Sequence, residues 1–262
     1  MKIILIISLS FLLLSCEDTN VIGNDLLFEE YTVIRSELKA NNIFEGVSIT
    51  KTLPLDEKYD IAKAEIKNAE VILKVDGVQV IPLHYTGEGL YKPLYTVRIK
   101  PGITYELFVE INGKSVYGFT RVPEVPEIED ASFFENSYIT ADINAKPNEV
   151  YGAVWVINPS SPIKGNNFFS IVPTTKTDSS GIISLRTDEI PEEYRSQLFR
   201  ERTFIQTYAF DQQYLDYFKT KFNNLPLENS FTGSSGPVAW NVKGEKVIGL
   251  FIGLAEGELV KP

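Results

Sequence analysis

The stretch Val71-Ile-Leu-Lys-Val75-Asp76-Gly77-Val78-Gln-Val-Ile81 decides the fold class. Two β-rich runs flank an Asp-Gly pair. A type I′ turn needs positive φ at both central residues, and Asp-Gly supplies them at low cost, so the stretch predicts a β-hairpin. The same grammar repeats outward. Downstream, Pro101-Gly102 makes a turn, and Tyr105, Leu107, Val109 and Ile111 alternate with Glu106, Phe108 and Glu110. Asn112-Gly113 then turns the chain into Val116 to Thr120. Upstream, Tyr31 to Leu38 reads as an edge strand, and Val47 and Ile49 alternate with Ser48 and Thr50. The charged run Asp56 to Lys67 reads as a short helix or a loop. Short strands at this spacing predict an immunoglobulin-like or transthyretin-like β-sandwich over residues 29–122.

Val122-Pro-Glu-Val-Pro-Glu-Ile128 carries two prolines three apart. That spacing favours an extended, stiff segment, and residues 123–128 read as a linker. The acids around the prolines disfavour a PxxP docking site. Residues 129–262 read as a second β-rich domain with one or two short helices. Strands are expected at Tyr138–Ile143, Tyr151–Ile157, Asn167–Val172, Gly181–Arg186, Thr203–Phe210 and Val247–Leu254. One helix is expected over Ile190–Phe199, with Asp188 as its cap and Pro191 in its first turn. Another runs from an Asp211 cap to about Phe222, where Tyr214, Phe218 and Phe222 recur at four-residue spacing as a core-facing stripe.

Composition narrows the function classes. The chain has 262 residues and a net charge of −10, with one His, one Cys and one Met. Phosphate repels a surface this acidic, so nucleic acid is not an expected partner. So few His and Cys residues remove most zinc sites, thiol chemistry and histidine-based triads.

The N-terminus sets the expected compartment. Lys2 precedes an apolar run from Ile3 to Leu14, too short to span a bilayer and of a length suited to a signal peptide. Leu13-Leu14-Ser15-Cys16 looks like a bacterial lipobox, with Ser15 before the cleaved bond and Cys16 after it. Residues 1–15 are then the signal peptide, and residues 16–28 a flexible tether. A lipidated Cys16 with two or three acyl chains anchors stably, because each buried methylene contributes about 0.8 kcal/mol. An ordinary secretory signal is the competing reading. Glu17-Asp18 resembles an export signal to the outer face of the outer membrane, with a solvated tether as the alternative.

The order of these features resembles a known family. After the lipobox come VIRSEL (33–38), VSITKTLPL (47–55) and NAEVILKVDG (68–77). PGITYELFVEINGKSVYGFTRVPEVPEI (101–128) and NVKGEKVIGLFIGLA (241–255) follow. Together they resemble the Bacteroidota lipoproteins called domain of unknown function 4249. That resemblance implies an immunoglobulin-like domain, a second β-rich domain and association with TonB-dependent outer-membrane transporters. It transfers no catalytic residues.

Candidate chemistry is sparse. His84 ends a hairpin arm without partners in sequence. Gly233-Ser234-Ser235-Gly236-Pro237 fails the nucleophile-elbow spacing at Pro237. Asp142, Asp188 and Glu189 sit near element ends and are the carboxylates to weigh for glycan hydrolysis. Asp142-Ile-Asn144 begins like a calcium loop but lacks the later Gly and Glu. No phosphate-binding loop occurs. Trp155 and Trp240 lie in or beside strand-like runs and are expected to be core or half-buried; exposed Tyr and Trp suit glycan stacking and protein interfaces. No catalytic, cofactor or metal residue is assigned. The expected role is a lipid-anchored, non-enzymatic binding or accessory module at the outer membrane, probing the exterior or, alternatively, the periplasm. Its expected partners are the membrane, a TonB-dependent receptor and a glycan or small ligand. A structural or adhesive envelope protein is the alternative.

Overall fold

The computed structural model describes residues 28–135, 137–160, 162–164, 171–179, 181–221 and 237–262. Ser15, Cys16, the tether up to residue 27, Asn167 to Ser170, Phe222 and Gly233 to Gly236 lie outside them.

The chain is mainly β. The first half contributes β1 (Thr32–Lys39), β2 (Val47–Lys51), α1 (Ile61–Ala64), β3 (Glu70–Val75), β4 (Gln79–Gly87), β5 (Leu90–Lys92), β6 (Thr104–Ile111) and β7 (Lys114–Arg121). The second contributes β8 (Ile128–Phe134), β9 (Tyr138–Asn144), β10 (Glu149–Ile157), β11 (Ile163–Lys164), β12 (Val172–Pro173), β13 (Ile182–Arg186), α2 (Gln197–Arg200), β14 (Thr203–Asp211), α3 (Gln213–Lys221), β15 (Val242–Lys243) and β16 (Val247–Val260). One curled sheet runs in the order β11-β10-β14-β16-β1-β2-β5-β4-β3-β6-β7-β15, and β13-β9-β8 form a second sheet. Among the described residues no helix is long and apolar enough to cross a membrane.

The hairpin stretch behaves as its turn chemistry demands. Asp76 and Gly77 have φ of 51° and 70°, and Val71 to Val75 pair antiparallel with Leu83 to Gln79. Asn112-Gly113 repeats the device between β6 and β7, again with both φ values positive. Inward residues of these strands, among them Leu73, Ile81, Tyr105 and Leu107, share one core with Ile34, Leu38, Ile49 and Phe251. The curl lays β7 over β16: a Cβ on Gly118 would come within 3.1 Å of the Phe251 side chain. The β9 and β13 residues Ile139, Ala141, Ile183 and Leu185 close the same core over Tyr151, Ala153 and Trp155 of β10.

Two expectations are corrected. Tyr31 to Leu38 is no edge strand. β1 is flanked by β2 on one side and lies parallel to β16 on the other, from Thr32 opposite Val247 to Lys39 opposite Leu254. A parallel neighbour cannot arrive through a tight turn, so nothing near β1 in the sequence announces it. Its fit is close: a Cβ on Gly249, at φ 139°, would stand 1.9 Å from the Ile34 carbonyl oxygen. Nor is Ile190–Phe199 one helix. It is a 3₁₀ turn at Glu192–Tyr194 and the four-residue α2. Pro191 and Ser196 both hold extended ψ, of 144° and 155°, while buried Ile190 and the rings of Tyr194 and Phe199 pack on the core. Asp188 caps nothing in this segment. Trp155 lies beside it, and tertiary packing overrides the local helix signal.

Candidate functional site

On the outward face of the large sheet, α3 covers part of β10 and β14. Residues Val150, Val154 and Val156 of β10 form a second cluster there with Tyr208, Phe210, Leu254 and Leu215, and α3 lies across it. Asp211 fixes the start of α3. One carboxylate oxygen accepts from the Gln213 N–H at 3.1 Å, as a cap should. The other accepts from Thr120 Oγ1 at 2.9 Å and from the Arg121 N–H at 2.6 Å. Thr120 Oγ1 in turn accepts from the Gly253 N–H at 2.8 Å. A single buried carboxylate thus ties the helix to β7, and through Thr120 to β16. Charge-assisted bonds of this kind are the strong ones.

Beyond α3 the sheet opens into a groove of about 490 Å³ over β16 and β1. Its floor follows the parallel register, with Val33 beside Ile248, Arg35 beside Leu250 and Glu37 beside Ile252. Its wall is a run of rings. Phe210 and Tyr214 stack at 4.2 Å, Tyr214 and Tyr217 lie 5.7 Å apart, and Tyr217 and Trp240 lie 5.6 Å apart. The run climbs from the buried cluster to the surface, where Trp240 is 38 % exposed. Burial pushes the Tyr214 phenol up to about 12 and lowers the pKa of Lys221. The Lys221 ammonium sits 4.8 Å from the Phe218 ring centre.

Trp240 is held from both sides. The Ala239 N–H donates to Thr220 Oγ1 of α3 at 2.9 Å. The Asn241 amide bridges to β16, donating to the Phe251 carbonyl at 2.6 Å and accepting from its N–H at 2.8 Å. An indole set between two fixed neighbours presents its face without having to be ordered on binding, which lowers the cost of stacking. The groove therefore offers a wall of rings tilted 35–45° to one another, from Tyr214 through Tyr217 to Trp240, with Arg35, Glu37 and Lys221 as polar grips.

A second cleft, of about 750 Å³, is lined by Asn41, Pro101, Glu124, Glu127, Lys146 and Glu149 among others. Glu149 is buried, yet it is satisfied: it accepts from Tyr151 Oη at 2.7 Å and from the Glu124 N–H at 3.3 Å. Burial raises its pKa, and these hydrogen bonds only partly offset the rise. The same burial, with Glu149 as acceptor, raises the Tyr151 phenol. The pair secures the Glu124 backbone to β10.

The residues singled out in the sequence are scattered. His84 is exposed on β4, across from Lys92 of β5. Asp142 on β9 accepts from Ser184 Oγ at 2.5 Å, and Glu189 pairs with Arg195 at 2.6 Å. Burial raises the Asp188 carboxyl, and its own backbone and the Trp155 indole offset the rise only in part; neither the Trp155 Nε1 nor the Asp188 Oδ1 makes a well-formed hydrogen bond. The structure gives these carboxylates separate partners. Of the two tryptophans, Trp155 is core and Trp240 lines the groove. The stripe Tyr214 and Phe218 does pack on the buried cluster. Tyr217, one residue off that stripe, was missed as a groove residue, and its offset from the apolar face was the available signal.

No curated protein matches this chain. The family model described as domain of unknown function DUF4249 matches residues 18–259, and the chain belongs to that family.

Proposed function

We propose that this chain is a lipid-anchored, non-catalytic binding module that holds a ring-bearing ligand, a glycan first of all, in the Tyr217–Trp240 groove. It would work beside a TonB-dependent transporter at the outer membrane, facing the exterior. One observation carries the ligand assignment: a part-exposed Trp240, pinned through Ala239 and Asn241, stands 5.6 Å from Tyr217 above a floor of Val33, Ile248, Leu250 and Ile252 that also carries Arg35 and Glu37. Sugar rings present apolar C–H faces that suit such a surface, with hydroxyls left for charged grips. Among the described residues Glu37 is the single carboxylate lining the groove, and two-carboxylate glycoside hydrolysis needs a pair. The anchor reading rests on Ser15-Cys16 and the acidic Glu17-Asp18 that follow the apolar leader.

Calorimetry and a glycan array on the mature chain test the ligand. Trp240→Ala is expected to weaken binding at least tenfold, a change worth about 1.4 kcal/mol, with the fold unchanged by circular dichroism. A chain that binds no glycan on the array at millimolar concentration refutes the assignment. Mild-detergent purification from the native outer membrane tests the accessory role: a barrel protein in near-equal amount supports it, and an isolated lipoprotein favours the adhesive alternative. Palmitate labelling lost in Cys16→Ala tests the anchor.

A further inference from the structure

The outward face of β4, β3, β6 and β7 carries an apolar row that none of the described residues covers. Pro82 stands opposite Ile72, Ile72 opposite Phe108, and Phe108 opposite Tyr117, so the four side chains form one line across four strands. The next row on one side runs Val80, Lys74, Glu106 and Phe119, apolar at its two ends with an opposite-charge pair between them, and Phe108 and Tyr117 pack ring to ring at 5.2 Å. Ile72, Val80, Phe108, Tyr117 and Phe119 are each 36–56 % exposed, well above core values. Scattered exposed apolar residues need no explanation, but a contiguous row does.

The other flank of the row is acidic in an unusual way. Glu70 and Glu110 lie directly opposite each other in the β3–β6 register. Like charges placed so destabilise a sheet. Among the described residues neither forms an ion pair, and the nearby Lys114 is engaged with Glu245 at 2.7 Å. The free chain thus keeps a repulsive pair at the edge of an exposed apolar line, and a cation placed between the two carboxylates would relieve it.

We infer that this face docks a protein partner whose surface sets an apolar patch on the Pro82–Ile72–Phe108–Tyr117 row and a Lys or Arg between Glu70 and Glu110. Charge complementarity selects that occupant. A second copy brings the same acidic corner, and an anionic lipid surface is repelled by it and by a net charge of −10. The inference deepens the accessory reading above and is independent of the groove.

The test places a photo-crosslinking p-benzoylphenylalanine at Ile72 or Phe108 of the full-length chain in its own cells, with Leu94, exposed elsewhere, as the control position. One discrete protein adduct is expected at 72 and 108, at least tenfold above the control, joined through a peptide carrying Lys or Arg. Glu70→Lys/Glu110→Lys should cut its yield at least fivefold, and Glu70→Gln/Glu110→Gln should cut it less. Reversing the partner's cation to Glu should restore the adduct to the Lys variant. Circular dichroism on both variants separates lost docking from lost folding. No adduct above the control, an adduct to a second copy or to lipid, or a yield indifferent to both charge variants overturns the inference. A transporter that still co-purifies when no adduct forms leaves the accessory reading standing and removes only this face.

Discussion

Strands β10 and β6 lie in one sheet and have nearly equal lengths, nine and eight residues, yet they meet different surroundings. Every residue of β10 is buried, whereas β6 alternates, with Tyr105, Leu107, Val109 and Ile111 inside and Phe108 and Glu110 exposed. The cause is what lies on the outward face. Over β10 and β14 sits α3, held by Asp211; over β3 and β6 none of the described residues sits. The covered half produces a concave, rigid groove at the margin of its cover. The bare half stays flat. A shaped groove suits a small ring, and a flat apolar row suits another macromolecule.

The largest expected break in that contrast is Val154→Asp in β10. It buries a charge with no partner, and chemical denaturation should show a loss of about 4 kcal/mol or more. Asp211→Ala comes next, at about 3 kcal/mol, because three donors lose one acceptor; if α3 keeps its hydrogen-exchange protection in that variant, the carboxylate is not what holds the cover in place. Leu215→Ala should cost about 2–3 kcal/mol and loosen α3 over the buried cluster, which urea titration would read. Phe108→Ser, on the bare face, should cost under about 1 kcal/mol by the same titration; a loss equal to that of Leu215→Ala would mean the face is not bare in solution.

The smallest effect is one of pH. Burial raises the Glu149 carboxyl in the folded chain above its ordinary 4.5. The native state then binds that proton more tightly than the unfolded chain does. The group's contribution is fully present below its unfolded pKa and is lost as pH rises through the raised folded value. Glu149→Gln should remove that slope, so the difference in melting temperature between the two proteins should shift in favour of Glu149→Gln from acid to neutral pH. Equal pH profiles would show that the buried carboxylate is not the source.

Turn chemistry and alternation made much of the first half legible. Asp76-Gly77 and Asn112-Gly113 specify their hairpins because positive φ is a local demand, and a strand with one wet face writes its pattern in period two. β8 was not legible: its acids and small residues lack a clear alternation, and the preceding prolines read as a linker running into it. The groove was only partly legible. Trp240, Tyr214 and Asp211 stood out as residue types, with Asp211 as a cap, but their convergence did not.

The sequence by itself determined the β class, the hairpin turns, the α3 cap, the acidic surface and the family likeness, because each depends on residues a few positions apart or on composition. The tertiary structure alone decided that β16 lies parallel beside β1, which face α3 covers, and that Trp240 meets Tyr217. Those depend on contacts between residues that are not neighbours in the chain, from 23 positions between Tyr217 and Trp240 to 215 between Thr32 and Val247, where loop closure leaves no local mark and only the shared burial of apolar faces selects the partner.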